Sequence, residues 1–127
     1  RRENFTFLKK LLQDGGAERS LILPEASENA DPSWFGFLMT AKEGTDRGRL
    51  VRYIEGKGIQ TRMLFAGNLI RHPCFDELRS KGEGYRIVGE LTNTDRIMRD
   101  SFWVGLYPGM TEEKLSYMAE MILAGLS

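Results

Sequence analysis

Two arginines stand where a side chain could bind a ligand, and Arg62 is the first of them. It interrupts a mostly β-compatible run at 59–65. Gly67 and Asn68 follow, and both tolerate the backbone angles of a tight corner. A buried guanidinium needs an anionic or carbonyl partner, because an unpaired one costs about 3–5 kcal/mol. An arginine on an edge strand would instead point to solvent, so the sequence leaves both interpretations open.

Arg96 is the second such residue, and it lies near the start of a predicted helix. Thr92, Asn93 and Thr94 are each suitable N-caps. The helix should extend to about Asp100, which places Arg96 in its first turn. A positive charge there is unfavourable against the helix dipole. A bound anion would compensate for this placement, and a solvent-facing arginine is the alternative.

The single histidine and the single cysteine are weaker candidates. A general base needs an orienting partner and a nearby reacting group, and the sequence around His72 offers neither. Cys74 is most simply a small buried hydrophobe. One cysteine cannot form an internal disulfide or a cysteine-based metal cluster, and it favours a reducing, cytoplasmic setting. We therefore assign no catalytic residue, no cofactor-binding residue and no metal ligand.

Length and composition limit the class of protein. With 127 residues, 41% of them hydrophobic and 28% charged, the chain has the size and composition of one globular domain. Its 18 basic and 18 acidic residues give no net charge, which argues against a dedicated nucleic-acid binder. No apolar run approaches the roughly 20 residues that span a bilayer, and the amphipathic start is not a signal peptide. We expect neither a nucleic-acid partner nor a membrane.

Strands and helices alternate along the chain and must position these residues. Apolar, β-compatible runs predict three or four strands, at 34–42, 59–65, 86–88 and 102–107. The architecture that fits is α+β, with a small and mainly antiparallel sheet covered by helices chiefly on one face.

The helices have recognisable boundaries. The first should stop at Gly15, the second should run from an Asp46 cap to about Lys57, and the last should be capped by Thr111. The basic residues of the second helix predict a solvated face. A charged, glycine-containing stretch at 77–84 predicts a mobile loop.

The first long strand candidate carries aromatic residues on either side of a glycine. Gly36 costs stability there and often marks a close approach by another backbone or a ligand. Trp34, Phe35 and Phe37 therefore belong either to the core or to the wall of a pocket.

Four segments carry a resemblance to a known family. Residues 61–69 read TRMLFAGNL, 31–37 read DPSWFGF, 91–98 read LTNTDRIM and 102–109 read FWVGLYPG. In their order along the chain, these four segments resemble the C-terminal domain of vitamin-B6-dependent sugar 3-dehydrases, the DegT–StrS family members that act on CDP-4-keto-6-deoxyglucose. Aminotransferases of that family tend to carry a His-Tyr pair and then a second histidine. Leu64-Phe65 and Asn68 stand there instead, which favours the dehydrase subgroup.

The resemblance implies a fold and a chemistry. The chain would be the C-terminal small domain of a fold-type I vitamin-B6 enzyme, a fragment that is inactive alone. The intact lyase would use pyridoxamine or pyridoxal 5′-phosphate and a [2Fe–2S] cluster to remove the C3 hydroxyl, in deoxysugar and lipopolysaccharide biosynthesis. Its large domain would hold both cofactors, and this chain neither. A homodimer and an electron-transfer reductase are the implied partners.

The resemblance also implies roles for individual residues. Arg62 and Arg96 would contact the nucleotide-sugar substrate. Asn68 would shape the turn, and Phe35 and Phe37 would pack near the cofactor and sugar. Two alternatives stay open: a nucleotide-sugar aminotransferase of the same family, and a non-catalytic α+β binding module.

Overall fold

A four-stranded antiparallel sheet forms the centre of the molecule, and the computed structural model describes all residues from 1 to 127. The strands are β1 (Leu21–Ile22), β2 (Gly36–Ala41), β3 (Thr61–Arg62) and β4 (Ser101–Gly105), in the spatial order β1-β2-β4-β3. The helices are α1 (Arg2–Asp14), α2 (Arg47–Gly56), α3 (Asp76–Lys81), α4 (Thr92–Asp100) and α5 (Glu112–Gly125). The predicted α+β architecture with a small antiparallel sheet is confirmed.

One face of the sheet packs against α1, α2 and α5 and forms the core. Phe37 and Met39 of β2 are buried there together with Phe102 and Val104 of β4, because successive strand residues alternate between faces. Burying each side chain of this size contributes about 1.5–3 kcal/mol. The helices supply the other half of the core through Leu8, Leu12, Leu50, Ile54, Leu115 and Ile122.

The predicted helix boundaries are confirmed in three places. Helix α1 ends immediately before Gly15. The Asp46 carboxylate accepts a hydrogen bond from the Arg49 backbone N–H at 2.9 Å. The Thr111 hydroxyl accepts one from Lys114 at 3.3 Å. Such caps satisfy an otherwise unpaired N–H and are worth about 1 kcal/mol each. None of the helices combines the length and the apolar character needed to cross a membrane.

Two strand predictions are wrong. Residues 86–88 form no strand, and Val88 within them is 74% exposed, since no neighbouring strand pairs with this apolar run. The fourth strand is β1 instead, whose Leu21 pairs with Ala41 at the end of β2. The run at 59–65 pairs with β4 only at Thr61 and Arg62, because the chain turns away from the sheet at Met63.

The predicted mobile loop at 77–84 is also wrong, because most of it is helix α3. Asp76 and Glu77 lie in its first turn, and Arg79 and Lys81 lie in its last turn. Both placements complement the helix dipole. Gly82 then ends the helix in the left-handed conformation.

Candidate functional site

An aromatic cleft of about 300 Å³ lies on the sheet face opposite the core. Trp103 belongs to that face because Phe102 and Val104, its neighbours in β4, point into the core. The Phe35 ring meets Trp103 edge-on, with centroids 5.1 Å apart and planes at 83°. The lining combines aromatic and aliphatic side chains with one carboxylate: Pro24, Glu25, Trp34, Phe35, Gly36, Leu38, Leu64, Phe65 and Trp103. Apolar walls with few polar groups are typical of small-molecule sites.

The cleft depends on a glycine beneath the tryptophan ring. A Cβ on Gly36 would lie 2.6 Å from Cε3 of Trp103, whereas ordinary contacts are 3.4–4 Å. The ring is also held at its other end, because Trp103 Nε1 donates a hydrogen bond to the Met63 carbonyl oxygen at 3.2 Å. The close approach that Gly36 indicates in the sequence is therefore made by an aromatic ring of β4.

A turn at residues 63–68 borders the cleft and contributes Leu64 and Phe65 to its lining. Phe65 is 78% exposed and has a φ of 47°, a region that bulky residues rarely occupy. Gly67 also has a positive φ, of 62°, and a Cβ there would lie 2.5 Å from Cγ of Met98 in α4. Strained backbone of this kind concentrates at binding sites, and here the turn is packed directly onto α4.

Asn68 forms the corner of this turn and is only 3% exposed. Its Nδ2 donates to Asp95 Oδ1 at 2.8 Å, and its Oδ1 accepts from the Ile70 backbone N–H at 3.3 Å. The second contact caps a short 3-10 turn at Leu69–Arg71. Because one end of the amide must donate and the other must accept, the two partners fix its orientation.

Arg71 holds the same carboxylate with two hydrogen bonds. Its Nε lies 3.2 Å from Asp95 Oδ1, and its Nη2 lies 2.9 Å from Oδ2. The hydrogen bonds from Arg71 and then Asn68 lower the pKa of Asp95, and the Asp95 partner raises the pKa of Arg71. The carboxylate is therefore ionised at neutral pH and connects the turn to α4.

Arg47 ties a third element to this region. Its Nε donates to the Arg99 carbonyl oxygen at 2.8 Å and its Nη2 to that of Met98 at 3.5 Å, both in the last turn of α4. Its Nη1 lies 2.7 Å from the sulfur of Met63. The predicted solvated face is therefore wrong for Arg47, which is half-buried and supports the C-terminal end of α4.

The expected site residues lie in different surroundings. Phe35 lines the cleft and Asn68 forms the corner beside it. Arg62 lies on the edge strand β3 and Arg96 on α4; both are exposed, and neither side chain has a hydrogen bond or an ion pair within the chain.

Phe37 and the first-turn placement of Arg96 require correction. Phe37 is 0% exposed, with its ring centroid 4.9 Å from that of Phe5, so it packs in the core and cannot reach a ligand. Helix α4 begins at Thr92 without a side-chain cap, and Leu91 precedes it in the left-handed conformation. Arg96 is therefore in the second turn, and the dipole gives no argument for an anion beside it.

His72 and Cys74 lie near the turn without offering a reactive group. His72 Nε2 donates to the Ala66 carbonyl oxygen, so its proton serves a structural hydrogen bond. Cys74 is exposed in a short 3-10 turn, and the prediction of a buried hydrophobe is wrong. Neither side chain lines the aromatic cleft.

The arrangement of sheet and helices is that of pyridoxal-phosphate enzymes of the aminotransferase fold. A GDP-4-keto-6-deoxymannose-3-dehydratase, crystallised with a trapped PLP-glutamate geminal diamine, superposes with a TM-score of 0.78. It shares 23% identity and is covered over 30% of its length by 96% of this chain. The DesV protein of S. venezuelae, in complex with a ketimine intermediate, gives a TM-score of 0.72 at 17% identity, with 97% and 31% of the two chains covered.

The sequence places the chain within that fold. Residues 1–123 match the sequence model of the DegT/DnrJ/EryC1/StrS aminotransferase family, and the chain belongs to this family. The lipopolysaccharide biosynthesis protein RfbH of Salmonella typhimurium (strain LT2) is 52% identical over 120 residues, 93% of this chain and 26% of RfbH. A dTDP-4-dehydro-2,6-dideoxy-D-glucose 3-dehydratase of Saccharopolyspora spinosa is 46% identical over 104 residues, 80% of this chain and 21% of that protein. The chain thus spans about a quarter of these curated relatives.

Sequence reasoning misses the residues that organise the site. Asp95 and Arg71 are 24 positions apart, and Arg47 lies 52 positions from the Arg99 carbonyl it supports. No spacing rule links residues so distant in the chain. Only one signal was available: a carboxylate directly before Arg96, in a segment that already carries the family resemblance.

Proposed function

We propose that this chain is the C-terminal small domain of a nucleotide-sugar 3-dehydratase that acts on CDP-4-keto-6-deoxyglucose. The observation that carries the proposal is the aromatic cleft bordered by the 63–68 turn, together with the exposed Arg62, which is the cross-strand partner of Trp103 and so lies on the same face of the sheet. Flat apolar walls suit the ring of a 6-deoxy sugar, and a free arginine suits a diphosphate. The relatives support it, since one is a 3-dehydratase and the other a lipopolysaccharide biosynthesis protein.

The cleft favours dehydration over transamination. Leu64 and Phe65 line it at the positions where aminotransferases of the family tend to carry a His-Tyr pair, and no histidine is among its lining residues. The Asn68 amide makes its hydrogen bonds within the chain, to Asp95 and to the Ile70 backbone N–H. An aminotransferase remains the second candidate, because the family includes both kinds of enzyme.

The cofactors do not fit the residues of this chain. A [2Fe–2S] cluster takes four cysteine or histidine ligands; the chain has one cysteine and one histidine, and no group of three potential ligands lies together. No lysine lines the aromatic cleft, and no Gly-rich loop opens a helix after a strand. We propose that a large domain of a longer protein holds pyridoxamine phosphate and the cluster.

The contribution of this chain would be binding and shielding. Phe35 and Trp103 would pack against the sugar ring and exclude water. Arg62 and Arg96 would donate charge-assisted hydrogen bonds to the anionic or hydroxyl-bearing parts of the substrate, each worth about 1.5–3 kcal/mol. Asn68 would keep the 63–68 turn in shape. The isolated chain would be inactive.

The intact enzyme would work with further partners. Replacing the C3 hydroxyl by hydrogen, with release of water, consumes two electrons and two protons, and a partner reductase would supply the electrons. A homodimer and a reducing, cytoplasmic compartment complete the proposal, and the exposed free thiol of Cys74 is compatible with that compartment.

Product analysis tests this proposal. The full-length protein, loaded with cofactor and supplied with a reductase and reductant, would be given the CDP-, GDP- and dTDP-linked 4-keto sugars separately. We expect a 3-deoxy product, formed fastest from the CDP-linked sugar, without incorporation of nitrogen. An amino sugar formed with glutamate as donor would establish the aminotransferase instead. No reaction with any of the three nucleotide sugars would favour the non-catalytic binding module.

A further inference from the structure

We infer that Asp95 is a positioning residue that fixes the 63–68 turn against helix α4, and thereby sets where the substrate-binding arginines stand. The inference rests on the proposed function, because it concerns how that site is held in shape. Nothing in the family resemblance assigns a role to this aspartate.

Three observations place Asp95 at a junction. It accepts hydrogen bonds from Asn68 at 2.8 Å and from Arg71 at 3.2 and 2.9 Å. Asn68 begins and Arg71 ends a short corner segment, residues 68–71, that follows the cleft-lining residues of the turn. One carboxylate on α4 therefore holds both ends of that corner, 24 and 27 positions away in sequence.

At the Asn68 end of the turn, the Asp95 carboxylate is the polar group that joins the turn to α4. The Asn68 backbone N–H meets only the sulfur of Met98, at 3.4 Å, which is a weak acceptor. Gly67 is pressed against the same side chain. Asparagine in place of Asp95 would present an N–H to the Arg71 guanidinium where Oδ2 now accepts, and removing the side chain would also leave the buried Asn68 amide without its acceptor, so either change carries a cost. The turn can relieve that cost only by moving.

Movement of the turn would be transmitted to the ligand site. Met63 at its start accepts the Trp103 hydrogen bond and contacts Arg47, so a shift of the turn disturbs the cleft wall. Arg62 directly precedes Met63, and Arg96 directly follows Asp95. The carboxylate therefore joins α4, which carries Arg96, to the turn that follows Arg62, and it pairs with neither of these two guanidinium groups itself.

The test compares Asp95→Asn with Asp100→Asn in the full-length, cofactor-loaded enzyme. Asp100 is a matched control: it lies on the same helix and pairs with an arginine at 2.8 Å, but its partner Arg99 is its own neighbour. We expect Asp95→Asn to raise the KM for the nucleotide sugar about tenfold or more, because losing one charge-assisted hydrogen bond from a displaced arginine weakens binding by about one to two orders of magnitude. Cofactor absorbance should be unchanged, and Asp100→Asn should leave KM within about twofold.

A cycle with Arg71→Ala adds a readout that general destabilisation would not produce. If the two residues act as one unit, the double variant should show the same KM as either single variant. Hydrogen exchange at residues 64–72 should rise in Asp95→Asn and stay at the wild-type level in Asp100→Asn.

The outcomes separate the two claims. Wild-type turnover with an unchanged KM in Asp95→Asn, or equal effects in both aspartate variants, overturns the positioning role alone. A wild-type enzyme that turns over no nucleotide sugar refutes the proposed function and removes the positioning role with it.

Discussion

Replacing Gly36 by alanine should damage the aromatic cleft while leaving the core face untouched. The added Cβ would stand 2.6 Å from the Trp103 ring, so the two groups must separate by about 1 Å to reach ordinary contact. Trp103 cannot retreat freely, because the Met63 carbonyl oxygen holds its Nε1 and the Phe35 ring packs edge-on against it, with ring centroids 5.1 Å apart. Overpacking of this kind typically costs about 1–3 kcal/mol.

Gly105 provides a matched control for this substitution. It is the cross-strand partner of Gly36 in the β2–β4 pair, and a Cβ there meets nothing within 4 Å. Gly105→Ala should therefore leave the free energy of unfolding within about 0.5 kcal/mol of the wild-type value.

Urea unfolding of the 127-residue chain, followed by far-UV circular dichroism and tryptophan fluorescence, measures both variants. We expect a lower midpoint for Gly36→Ala, with a native-state emission changed by the displaced indole, and neither change for Gly105→Ala. Equal destabilisation by the two substitutions, or none by either, would refute the account of the cleft.

Three further predictions concern the two exposed arginines, the cofactors and Asp95. In the full-length enzyme, Arg62→Ala and Arg96→Ala should each lower kcat/KM about tenfold to hundredfold with cofactor absorbance unchanged. Lysine at either position should restore little of the activity, because it lacks the planar guanidinium fork. An unchanged kcat/KM in both alanine variants would show that neither arginine binds the substrate. The isolated chain should not bind pyridoxal or pyridoxamine phosphate, and saturable absorbance changes at micromolar concentration would contradict the division of roles between domains. The folded-state pKa of Asp95 lies below its unfolded value, so its pairing with Arg71 stabilises the turn above about pH 4 and is lost as the pH falls through the lowered pKa. An Asp95 carboxyl carbon whose NMR signal titrates at or above the unfolded pKa would contradict this prediction.

The sequence predicts best the elements that local physics determines. The helical spacing of Leu115, Met118 and Ile122 marks the buried face of α5, and the polar caps at Asp46 and Thr111 mark helix starts within one residue. These signals are local, because a cap or an apolar stripe lies within one or two turns of the helix it defines.

Pairing between distant segments is where sequence reasoning fails. Nothing in residues 86–88 shows that they lack a partner strand, and nothing in Leu21–Ile22 shows that two residues suffice for an edge strand beside β2. Phe35 and Phe37 look equivalent in sequence, yet one lines the cleft and the other lies in the core, because Phe35 precedes the regular strand. Likewise, the Asp95–Arg71 pair exists only once α4 and the turn are brought together.

The family resemblance and the structure support different parts of the account. The resemblance indicates the chemistry, and the family match and relatives agree with it at the level of the enzyme family. The structure shows which side chains line the aromatic cleft and that Arg62 and Arg96 are exposed. The connection between the two is the aromatic cleft.

The most direct test of that connection is the response of the cleft tryptophans to substrate. The chain contains two tryptophans, Trp34 and Trp103, and both line the cleft. Fluorotryptophan would be incorporated into the full-length protein, with the two signals assigned through Trp34→Phe and Trp103→Phe, and CDP-4-keto-6-deoxyglucose would be titrated in by fluorine NMR. We predict saturable shifts of both signals that follow the kinetically measured affinity, with a smaller response to CDP alone. Turnover of the substrate with both signals unmoved would contradict the account.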